Sequence, residues 1–171
     1  MGDQPVILAV ASYASRAAAH TDFEALWQLP SATSNYLTAA LVEKGTSGEL
    51  EMNCHRDSAA DRARGVAILG GALTTVAAPV GISYLAAGLS SNAEWIGAAA
   101  IVGRFWHQVP RDKLRNMSNL LEAGQAGLAV VAVAHTTQDV VACLSGATTA
   151  VLSESIHVDL MTDFAQASGE A

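Results

Sequence analysis

The stretch GVAILGGALTTVAAPVGISYLAAGL, residues 65 to 89, contains no charged side chain. Whether it crosses a bilayer, fills a core or binds other copies of the chain decides what kind of protein this is. As one helix it would extend about 37 Å at 1.5 Å per residue, against roughly 30 Å of hydrocarbon. Its leucines, isoleucines and valines favour insertion by about 3–5 kcal/mol on a translocon scale. The glycines, Thr74, Thr75, Ser83 and Pro79 oppose them. With a turn at Pro79 and Gly81, the first arm, Gly65 to Ala78, shortens to about 21 Å, too little for a comfortable crossing. Small residues recur every four positions at Ala63, Ala67, Gly71 and Thr75, and again at Ala93 and Gly97. Such spacing lets helix backbones approach closely, in lipid or in a tight soluble bundle. The contact residues expected from this pattern are Gly65, Gly70, Gly71, Thr75, Gly81, Gly88, Gly97, Gly103 and Trp106.

Outward from this stretch the chain reads as α/β grammar. RDSAADRAR precedes it, where Ser58 and Asp61 form a capping-box pair. SSNAEW interrupts the apolar theme, and IGAAAIVGRFW resumes it up to Trp106. Toward the N-terminus, Pro5 to Tyr13 is a run of branched apolar residues suited to a buried strand. Ser15 suits the cap of a helix carrying Ala19, Phe23, Leu26 and Trp27, and Pro30 ends it. LTAALVEKGTSGELEMNCH then predicts a hairpin turning at Lys44 to Gly48. Alternation in its second strand places Leu50, Met52 and Cys54 together on the apolar face.

Beyond the insertion, Pro110 suits a first helical turn, Leu114, Met117, Leu120 and Leu121 form one face, and Gly124 stops the helix. QAGLAVVAVA is the plainest strand in the chain. Thr136 or Thr137 caps a short helix over Asp139 to Leu144, Gly146 ends it, and TTAVLSES is a last strand. The tail from His157 is weakly amphipathic. The expected fold is therefore α+β: a ferredoxin-like αβ sandwich, helices on one sheet face, interrupted by a small-residue-rich helical hairpin. Its divisions are residues 1–57 and 108–156 for the two halves of the domain, 58–107 for the insertion and 157–171 for the tail. Parity agrees: strands on either side of the insertion share one sheet only if both lie on the same side of any membrane.

These features resemble a bacterial family of domains of unknown function, common in actinobacteria, whose members are labelled as membrane proteins. The residues that carry the resemblance are VASYASRAAAHTDFEALWQL, AALVEKGTSGELE, the insertion with its AAPVG, and VPRDKLRNMSNLLEAGQAGLAVVA. The resemblance implies a fold with a glycine-rich helical insertion and brings no catalytic residues.

Charged residues make up 15% of the chain, against about 25% in an ordinary soluble domain, and apolar residues 51%. A net charge of -7 with scattered basic residues argues against nucleic acid as a partner and against docking on anionic lipid. Cys54 and Cys143 read as reduced thiols of a cytoplasmic protein, with one disulfide between them as the alternative. No metal or cofactor is expected. In NCHRD, Cys54, His55 and Asp57 alternate across a strand, and His20 with Glu24 reads as a surface ion pair. Cys143 and His135 flank a strand–helix boundary as a weak nucleophile pairing, and no phosphate-loop, dinucleotide or serine-hydrolase motif occurs. The expected role is a non-enzymatic homo-oligomeric assembly protein. The alternatives are a membrane-associated protein anchored by the hairpin, and a small-molecule binding module.

Overall fold

A computed structural model of the chain describes residues 5–30, 37–46, 50–57, 69–73, 75–76 and 108–156. They form an α+β unit around a five-stranded antiparallel sheet. The strands are β1 (Val6–Tyr13), β2 (Leu37–Lys44), β3 (Leu50–Asp57), β4 (Ala126–Val133) and β5 (Thr149–Leu152), in the spatial order β3-β2-β4-β1-β5. Three α-helices accompany them: α1 (Arg16–Leu26), α2 (Arg111–Ala123) and α3 (Thr137–Cys143), the last preceded by a 3-10 turn at Ala134–Thr136. Residues 69–73 and 75–76 are helical as well.

Every residue of β1 and β4 is buried, as is every residue of β2 except Lys44. A strand covered on one face alternates apolar and polar side chains; a continuous apolar run needs cover on both faces. That cover is present, so the one-sided helix layer expected from sequence is corrected. On one face α1 and α3 bring Ala19, Phe23, Leu26 and Val140 against Ile7, Ala9, Leu41 and Val130. On the other, α2 and residues 69–73 and 75–76 bring Leu114, Met117, Leu121, Leu69, Leu73 and Val76 against Leu8, Val10, Val42 and Val131. The apolar stretch, where it is described, is core of its own chain.

Local chemistry explains the element ends. Ser15 is extended (φ -135°, ψ 147°), and its hydroxyl accepts from the Ala18 N–H at 3.2 Å, capping α1 as expected. Pro110 sits one residue before the first turn of α2, as its N-cap, with its carbonyl accepting from the Leu114 N–H. Thr136 stands at the N-cap of α3 as expected, but without a side-chain cap bond: its hydroxyl and that of Thr137 donate back to the carbonyls of Val133 and Ala134. Gly124 ends α2, but its backbone is extended (φ -86°, ψ 171°) rather than left-handed. Glycine is needed there for space: a Cβ would lie 2.5 Å from Ser12 Oγ and 2.8 Å from the Tyr13 carbonyl oxygen. Gly127 plays the same part within β4, where a Cβ would collide with the Leu121 side chain that packs over it.

One irregularity resets β3. Leu41 pairs with Cys54 but Val42 pairs with Met52, so Asn53 is an extra, bulged residue. The expected alignment of Met52 and Cys54 on one face is therefore wrong. Met52 packs with the α2-side core and Cys54 with the α1-side core, because one inserted residue reverses the alternation beyond it.

Candidate functional site

The described polar side chains converge at two places on the α1 face. The first lies where the start of α1 crosses the β2–β3 hairpin. Glu43 follows Leu37, Ala39 and Leu41 in phase on β2, so its carboxylate is carried under α1, and its side chain is only 8% exposed. His20 Nε2 lies 2.8 Å from Oε1, and the Asn53 amide donates to Oε2 at 2.6 Å. Arg16 Nε stands 3.8 Å from Oε2, while its guanidinium also donates to the Lys44 carbonyl. Glu51 lies opposite Glu43 across the hairpin. Two carboxylates directly opposite repel, and the basic side chains of α1 offset that repulsion. The bulge at Asn53 is what frees its amide to reach Glu43.

One turn further along α1, Arg56 of β3 forms a bidentate pair with Glu24 at 3.2 and 3.3 Å. Its guanidinium carbon stands 5.5 Å from the ring centre of Phe23 and 5.3 Å from that of Trp27. Both partners of the ion pair are about half exposed, so the charge contact itself contributes little. The stacking on two aromatic rings adds about 0.5–1 kcal/mol each at such exposed sites. His20 and Glu24, expected to pair with each other, instead reach across to Glu43 and Arg56. Sharing a helix face turned both toward the hairpin, where opposite charges were available.

The second place is Asp22, buried on the apolar stripe of α1 between Ala19 and Leu26. Its Oδ2 accepts from the Tyr13 hydroxyl at 2.9 Å and from the Gly146 N–H at 2.8 Å. One carboxylate thus joins α1 to the end of β1 and to the turn between α3 and β5. Burial raises the Tyr13 phenol well above the usual tyrosine range, reinforced by its bond to Asp22 and by that carboxylate's charge. Burial also pushes the Cys143 thiol up, followed by the charges of Asp22 and Asp139. A thiol held protonated is a poor nucleophile. Cys143 Sγ donates to the Ala25 carbonyl at 3.8 Å, whereas His135 sits exposed in the 3-10 turn, so this pair is not brought together. Both cysteines are free.

Of the contact residues expected from the small-residue pattern, Gly70, Gly71 and Thr75 are described, and all three are buried inside the single chain. The Thr75 hydroxyl donates to the Gly71 carbonyl at 2.8 Å, one helical turn back. Gly65, Gly81, Gly88, Gly97, Gly103 and Trp106 lie outside the described residues, as do most of the inserted hairpin and the tail. Among the described residues no helix is long and apolar enough to cross a membrane. No group of three or more His, Cys, Asp or Glu in them is placed to hold a metal ion.

Asp22, Glu43 and Arg56 were not singled out from sequence, yet two left a trace there. Asp22 interrupts an apolar helical stripe, and Glu43 ends an otherwise apolar strand in its inward phase. Arg56 left none, because its role follows from the bulge. Comparison with protein-family models, with curated proteins and with solved structures returned no match.

Proposed function

We propose that this chain is a non-enzymatic homo-oligomeric assembly protein built on a ferredoxin-like domain. With β3 set aside, the strand order β2-β4-β1-β5 alternates in direction, and α1 and α3 bridge β1 to β2 and β4 to β5 on one face. That pattern is consistent with two interlocked split βαβ units. β3 extends the sheet, and the 58–107 insertion enters between β3 and α2. The observation that carries the functional reading lies in residues 69–73 and 75–76. Leu69, Ala72, Leu73 and Val76 recur at helical spacing, and Gly70, Gly71 and Thr75 among them are buried too. Gly70, Gly71 and Thr75 are taken up by close packing within their own chain, which leaves the small residues elsewhere in the insertion for close packing between helices. The same property supports Gly65, Gly81, Gly88, Gly97, Gly103 and Trp106 as contacts between copies. Asp22, Glu43 and Arg56 tie elements together, which supports a structural role for the polar clusters.

Light scattering on protein purified without detergent tests the proposal. Assemblies are expected; a monodisperse species at 17.6 kDa overturns it. Gly97→Leu should lower the assembly mass if close packing holds the copies together. Flotation of the protein with liposomes would shift the reading to membrane association.

A further inference from the structure

We propose that the β5 edge of the sheet pairs with the β5 edge of a second copy, joining two five-stranded sheets into one of ten strands. This rests on the homo-oligomeric reading above and names one of its contacts. Among the described strands the sheet has two edges, the outer sides of β3 and β5. Monomeric proteins blunt their edges with bulges and charges, since a bare edge templates pairing with another chain. The β3 edge is blunted in both ways: it bulges at Asn53 and its sequence carries Glu51, Arg56 and Asp57. From Thr149 to Leu152 the register of β5 runs without a shift and the strand carries no charge. Ala147 to Ser153 contains no charged residue, and Thr149 and Ala150 are exposed.

The hydrogen-bond phase of β5 is set by its partner. The Ser153 N–H donates to the Leu8 carbonyl, and the register pairs Val151 with Val10 and Thr149 with Ser12. In an antiparallel ladder alternate residues bond to the same neighbour, so the backbone groups of Ala150 and Leu152 face away from β1. A two-fold axis through Val151 would set Ala150 of each copy opposite Leu152 of the other, with four N–H···O=C bonds exchanged. Such a pairing is self-complementary, as a closed dimer requires.

Charge favours a second copy as the occupant. A chain of net charge -7 repels its own kind over most of its surface, and an uncharged edge is where two copies approach at least cost. The same axis would run each α2, which packs over β1 and β5, antiparallel to its mate. The first half of one helix, where Arg111, Lys113 and Arg115 outnumber Asp112, would then lie end for end against Glu122 of the other.

The test measures the mass of the full chain by light scattering across a concentration series, with amide hydrogen exchange on the same samples. In the wild type, Ala150 and Leu152 amides should be protected although they face away from β1. Ala150→Pro removes an outward N–H and leaves the bonds to β1 in place; Ala150→Lys adds charge at the same exposed position and covers the case in which proline disturbs folding. Each folded variant should weaken the pairing at least ten-fold and lose the Leu152 protection. A monomeric wild type overturns both this pairing and the assembly reading. An oligomeric wild type whose mass and Leu152 protection survive both substitutions overturns the β5 pairing alone.

Discussion

Leu73→Ala probes the reading of the apolar stretch as core of its own chain. Leu73 is 1% exposed and packs in the cluster that α2 closes over the sheet. Removing three carbon groups forfeits about 2.4 kcal/mol of transfer energy at about 0.8 kcal/mol each. The cavity left between sheet and helix brings the expected loss to about 3–4 kcal/mol, inside the range of about 2–5 for buried leucines. With a urea slope of about 1–3 kcal/mol per molar, the unfolding midpoint should fall by at least about 1 M. The assay is a urea titration followed by far-UV circular dichroism, repeated at two protein concentrations about ten-fold apart. A core within one chain predicts the same loss at both, whereas stability drawn from other copies would make the loss concentration-dependent. Val141→Ala is the control, since Val141 is 45% exposed and should cost under about 0.5 kcal/mol. A Leu73→Ala loss below about 1 kcal/mol, or one present only in dilute samples, would refute the intrachain packing.

Asp22→Ala should cost about 3–5 kcal/mol, because it strands the Tyr13 hydroxyl and the Gly146 N–H. Combined with Tyr13→Phe the two losses should fall short of additive by about 1–3 kcal/mol in urea titrations, and strict additivity would exclude the bond. Gly124→Ala should destabilise by about 1–3 kcal/mol, since two backbone carbonyls block its Cβ, while Gly146→Ala meets the Asp22 carboxylate at 3.3 Å and the Ala18 Cβ at 3.6 Å and should cost less; equal losses in thermal melts would contradict the space argument. Tyr13 ionises less readily folded than unfolded, so its contribution is complete below about pH 10 and is lost as pH rises above that value. Melts from pH 8 to 11 should therefore show a steeper alkaline decline in the wild type than in Tyr13→Phe, and parallel declines would count against the raised phenol.

The elements were legible wherever a local rule governs them. Pro5 to Tyr13 and QAGLAVVAVA read as strands by their branched apolar runs, Ser15 as a cap by its hydroxyl, and Leu114, Met117 and Leu121 as one helix face by their spacing. All are found so. The second helix layer was also written in the sequence, since β1 and β4 lack the polar alternation of a half-covered strand, but the one-sided template hid it.

Patterning alone determined the strands, the helix faces and the fold class, because hydrophobic period and capping act over a few residues. Three features were decided only in the tertiary structure. A bulge at Asn53 sent Met52 and Cys54 to opposite cores, since a single extra residue inverts every side chain beyond it without leaving a mark in composition. His20 and Glu24 took partners on β2 and β3 because only the packed sheet brings opposite charges within reach. The described part of the apolar stretch became core because β1, β2 and β4 offered a bare apolar face beside it. Its own residues suit lipid, another chain or a core alike, and burial is settled by whichever surface lies nearest.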